Sequence, residues 1–75
     1  MYHSIEFVGD LLVDVEVSRK RPLEHLLIRA GTRYRSQIKP YVVETEEGPV
    51  EVADLFFEDG TTTRRVPFAC FAFAD

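Results

Sequence analysis

The sequence predicts a mainly β fold, a single small antiparallel sheet of five to six strands curled into a partly open, SH3-like barrel. Three observations carry this. Short runs rich in β-branched and aromatic residues recur along the chain, at residues 2–8, 11–18, 32–38, 41–46, 50–58 and 61–74. Single Gly and Pro residues punctuate them, with no linker, repeat or low-complexity tract. A chain of 75 residues has room for one core, so residues 1–75 read as a single small globular domain. The SH3-like comparison is one of architecture and implies no activity.

Residues 2–8 and 11–18 alternate as strands and are joined by Gly9-Asp10, which suits a type II′ hairpin turn. In that hairpin His3 faces Glu16. Residues 22–30 are the one helix candidate, which would make the fold α+β. Leu23, Leu26, Leu27 and Ala30 fall at i, i+3, i+4 and i+7, Pro22 suits the first turn and Gly31 the stop. Leu26, Ile28 and Ala30 also alternate as a strand would, with Arg19-Lys20-Arg21-Pro22 as a solvated loop. From Thr32 onward a meander is expected, turning at Lys39-Pro40, Glu47-Gly48-Pro49 and Asp59-Gly60. Asp-Gly is the strongest of these signals, because both residues tolerate positive φ.

The net charge of −4 hides a segregated distribution. Residues 19–39 carry seven bases against Glu24 alone, and residues 41–63 carry seven acids and no base. With Lys39-Pro40 as a two-residue turn, Arg35 faces Glu44 and Arg33 faces Glu46, a charge ladder of roughly 0.2–1 kcal/mol per pair. Counting from Asp59-Gly60 likewise pairs Asp54 with Arg65. The same basic stretch supports an alternative, a single-stranded RNA- or DNA-binding strand. Arg33, Arg35 and Lys39 would meet phosphates, Tyr34 would stack on a base, and Arg19, Lys20 and Arg21 would extend the patch. The acidic balance and the alternation that turns Tyr34 away from its arginine neighbours weigh against it.

Catalytic signals are absent. His3 and His25 belong to no metal-ligand spacing, and neither a nucleophile elbow nor a phosphate-cradling glycine loop occurs. Cys70, the lone cysteine, lies in the apolar run Phe68-Ala-Cys-Phe-Ala-Phe, which reads as core. Glu44 and Glu51, placed across from one another in the next hairpin, are the only basis for a second alternative, a small enzyme or metal-binding protein. No cofactor is expected. One cysteine, no long apolar stretch and no basic leader point to the cytoplasm.

The stretch 66–74 is apolar on both faces if it is one strand, so either a barrel or a second subunit must cover it. A surface built on Phe71 and Phe73, with Phe56 and Phe57 one strand earlier, is therefore expected. The function that follows is a non-enzymatic protein-interaction module, a homodimer or an accessory component of a larger assembly.

Overall fold

A computed structural model of the chain describes residues 1–17 and 23–75. Its strands are β1 (His3–Phe7), β2 (Leu11–Val17), β3 (Glu24–Ile28), β4 (Arg33–Thr45), β5 (Gly48–Phe57), β6 (Thr61–Pro67) and β7 (Phe71–Phe73), seven rather than five or six. They form one antiparallel sheet in the order β3-β2-β6-β5-β4-β1-β7, curled into a half-barrel with β3 and β7 at its edges. The mainly β, antiparallel class predicted from the sequence is the class observed.

Four expected elements differ. Residues 23–30 hold no helix; β3 pairs with β2 from Leu11↔Ile28 to Val15↔Glu24, and Pro22 lies outside the described residues. A lone helix of about nine residues is marginal in water. The strand instead buries Ile28 fully and Leu26 partly against the core. The Gly9-Asp10 hairpin does not form, because β1 pairs with β4 and β7 whereas β2 pairs with β3 and β6.

Lys39-Pro40 is no turn: β4 runs through it for 13 residues. Pro40 is tolerated because β1 pairs only with residues 33–36, so this half of β4 has β5 as its sole neighbour and one side free of ladder bonds. The chain turns only at Glu46-Glu47, overlapping the expected Glu47-Gly48-Pro49 turn, of which Gly48 and Pro49 already belong to β5. There the Thr45 hydroxyl donates to the Gly48 carbonyl at 2.7 Å and Gly48 adopts φ +109°. Residues 61–74, finally, are not one strand. A 3-10 turn at Phe68–Cys70 ends β6, and β7 crosses to the far edge to pair with β1. The Asp59-Gly60 hairpin is present, closed by the Gly60 N–H on the Phe57 carbonyl at 3.0 Å with Gly60 at φ +95°.

Alternation sorts the side chains. Ile5, Phe7, Ile28, Ala53, Leu55, Phe57, Val66 and Phe71 fill the inner face, with Phe68 and Cys70 of the 3-10 turn packed against them. Phe7, Ile5, Leu55 and Ile28 are completely enclosed, each contributing roughly 1.5–3 kcal/mol of apolar burial. The outer face is polar, and its charges are arranged strand by strand.

Candidate interaction surface

Among the described residues of the basic centre, three arginines are paired with carboxylates, though with other partners than the sequence suggests. Because β4 does not fold back at Lys39-Pro40, Arg33 meets Glu6 of β1 at 2.9 Å and Arg35 meets Glu58 at 3.5 Å, in place of Glu46 and Glu44. Arg29 reaches Asp10 at 3.4 Å. These pairs are exposed and worth only about 0.2–1 kcal/mol each, so they alter surface potential more than stability. Tyr34 points inward, stacked on Phe57 at 4.4 Å and edge-on to Phe7 at 5.9 Å, and offers no ring to a base. Lys39 is exposed, and Arg19, Lys20 and Arg21 lie outside the described residues.

Across the outer face, charges alternate from β4 to β3: Lys39 opposite Asp54, Asp54 on Arg64, Arg64 on Glu16, and Asp14 on His25 at 2.6 Å. Asp54 is the pivot. It is buried, and its carboxylate accepts the Tyr41 hydroxyl at 2.7 Å, an Arg64 guanidinium N–H at 3.0 Å and the Arg65 backbone N–H at 3.1 Å. Burial pushes the Asp54 pKa up, but the three donors outweigh it and hold the carboxyl below its usual value. The same bond to the Asp54 carboxylate raises the Tyr41 phenol. Sequence counting placed Arg65 opposite Asp54; the structure supplies its backbone there, while the side-chain contact comes from Arg64.

The reason is a β-bulge. The β5–β6 register shifts between Ala53↔Val66 and Leu55↔Thr63, so Asp54 faces both Arg64 and Arg65, and Arg65 takes φ +58° to accommodate the extra residue. Beyond the bulge β6 diverges from β2, whose pairing with it covers only Val15↔Thr63 to Val17↔Thr61. Between Leu11, Leu12 and Val13 on one side and Arg64 to Pro67 on the other opens a cleft of about 340 Å³, with Leu23 at its mouth.

Beside this cleft the apolar surface collects. Leu12 and Leu27 are cross-strand partners on the outer face, 66% and 53% exposed, and Leu23 at the start of β3 is 42% exposed. Leu12 shares its alternation with Asp14 and Glu16, whereas the exposure of Leu23 and Leu27 follows only once residues 24–28 are a strand paired with β2. The aromatic surface expected from the sequence contracts correspondingly. Phe57 and Phe71 are enclosed in the core, Phe56 is half-buried with the Arg64 guanidinium 5.9 Å from its ring centre, and only Phe73 is exposed, edge-on to His3.

The remaining candidates do not converge. Glu51 stands opposite Val42 and Glu44 opposite Pro49, two residues out of register with one another. Among the described residues, no three His, Cys, Asp or Glu side chains gather as a metal site would require. His3 lies 3.5 Å from Asp75 rather than against Glu16. No helix of the described chain is long and apolar enough to cross a membrane. No family model, curated protein or solved structure matches the chain.

Proposed function

We propose that this chain is a non-enzymatic protein-interaction module of the cytoplasm, working as a homodimer or as an accessory component of a larger assembly. The observation that carries the reading is the group of exposed leucines, Leu12, Leu23 and Leu27, beside an open cleft at one edge of the sheet. Exposed apolar area concentrated in one place favours a protein contact, whereas scattered single residues would not. The pairing of Arg29, Arg33, Arg35 and Arg64 with carboxylates weakens the cationic field on which a nucleic-acid interface would draw, and so favours a protein contact over the nucleic-acid alternative.

Size-exclusion chromatography with light scattering over a dilution series tests it. The wild type is expected to shift from dimer to monomer on dilution, and Leu12→Lys and Leu27→Lys to shift earlier. Both side chains are exposed, so either lysine should change folding stability by no more than about 0.5 kcal/mol. A strictly monomeric wild type at high concentration removes self-association. A dimer indifferent to both lysines removes the leucine surface.

A further inference from the structure

Backbone direction at the β2–β3 end shows which groups the sheet leaves unpaired. The Asp14 carbonyl accepts the Thr63 hydroxyl at 3.0 Å, so it points toward β6 and away from β3. Successive residues of a strand send their N–H and C=O groups to opposite sides, and Val13 and Val15 therefore bond to β3 at their partners Leu26 and Glu24. Among the described residues, His25 and Leu27 are left presenting their N–H and C=O on the far side of β3, the last strand of the sheet on this side. Glu24–Ile28 contains no proline, lysine or bulge, and its one acid, Glu24, stands at the end of the strand, clear of His25 and Leu27. The opposite edge is a poorer template. β7 is three residues long, and its Phe71 N–H is already bonded to the Phe68 carbonyl.

We propose that two copies of this chain join antiparallel along β3, with the two-fold axis through Leu26, so that two seven-stranded sheets become one. The inference rests on the homodimer reading above and names its seam. A two-fold axis normal to the sheet keeps outer face beside outer face, which restricts the register to partners of equal parity. Centring on Leu26 overlaps all five residues of the strand. His25 of each copy then stands opposite Leu27 of the other, and their four outward N–H groups and four outward carbonyls close as two hydrogen-bonded pairs. Glu24 stands opposite Ile28 of the second copy, so no two carboxylates face each other across the seam. On the outer face Leu27, with Leu12 beside it, meets His25 of the second copy and lies diagonal to its own counterpart; on the inner face Leu26 meets Leu26.

The register is tested by disulfide trapping in a Cys70→Ala background. Cα atoms of a hydrogen-bonded antiparallel pair lie about 5.5 Å apart, within the ~4.4–6.8 Å a disulfide spans. His25 and Leu27 side chains are 77% and 53% exposed, so cysteine is tolerated at either, and circular dichroism checks the fold. Single-cysteine chains His25→Cys and Leu27→Cys are oxidised separately, and as a mixture combined under reducing conditions. The mixture is expected to form the 25–27 cross-chain disulfide about ten-fold faster than either chain crosslinks alone, because like positions are two residues out of register. Equal rates in mixture and singles, or no crosslink in the mixture while the wild type still dimerises by light scattering, overturn the β3 seam and leave the homodimer standing. A wild type monomeric at every concentration removes both.

Discussion

Replacing Asp54 with Ala should destabilise this chain far more than its place on the outer face suggests. The carboxylate is side-chain buried to 9% exposure and accepts three hydrogen bonds, from the Tyr41 hydroxyl, the Arg64 guanidinium and the Arg65 amide. Bonds to a charged acceptor contribute roughly 1.5–3 kcal/mol each. The Arg64 share must be discounted to about 0.5 kcal/mol, since that guanidinium is 52% exposed and keeps Glu16 at 3.1 Å. The Tyr41 share is also shared with solvent, which leaves the orphaned Arg65 amide in the bulge as the main loss. A total of about 3 kcal/mol follows, or roughly 12–24 °C in Tm for a chain of this length. With no tryptophan available, urea unfolding is followed by circular dichroism or tyrosine emission. The Asp54 carboxyl titrates lower folded than unfolded, so its contribution is fully present above its unfolded value near 3.8. It is lost as pH falls through the depressed folded value. The gap between wild type and Asp54→Ala should therefore be constant near neutrality and narrow in that acid range. A variant within about 0.5 kcal/mol of wild type at pH 7, or a gap that does not narrow in acid, refutes this account of the bulge.

Arg65→Gly should stabilise the chain by about 1 kcal/mol in the same urea assay, since φ +58° strains a side chain and glycine relieves it while keeping the amide that Asp54 accepts. Gly48→Ala, at φ +109° with open space around the new methyl, should cost about 1–2 kcal/mol from backbone strain alone; Gly9→Ala, which has no positive φ, should lie within about 0.5 kcal/mol of wild type by thermal melting. Tyr34→Ala should cost about 3 kcal/mol through loss of its Phe57 and Phe7 contacts. Filter binding with single-stranded RNA should register no accompanying loss of affinity.

Strand identity was legible wherever local pattern decides it. β2, β5 and β6 carry the β-rich runs seen in the sequence, and Asp59-Gly60 turns where its chemistry requires. Errors arose where a neighbour decides. Lys39-Pro40 reads as a turn in isolation, yet proline is harmless in a strand with ladder bonds on one side only. Leu23, Leu26, Leu27 and Ala30 satisfy a helical period and an alternating one; pairing with β2, a tertiary fact, selects the second. Read as one strand, 66–74 was expected to need cover on both faces; in the structure Phe71 is buried whereas Phe73 is 55% exposed. The remedy could not be read, because a 3-10 turn rotates Phe68 and Cys70 to the same core that Phe71 enters from the opposite edge. Likewise the leucine surface was legible only at Leu12, which alternates with Asp14 and Glu16, since the exposure of Leu23 and Leu27 depends on the pairing with β2.

The idea that survives this change of partners is internal neutralisation. Glu6, Asp10, Glu16, Asp54 and Glu58 take up four arginines, and they do so from three strands and two connections, so the fold assembles its compensation from other acids than the ladder expected from the sequence. Exposed pairs of this kind add little to stability. Their effect is on recognition: among its described residues, the β2–β3 end presents leucines and, on β3, two backbone positions directed away from β2. A chain of this size leaves roughly 40% of its surface unburied on folding, and the place where covering more would help is the one edge whose hydrogen-bonding groups and apolar side chains lie in the same five residues.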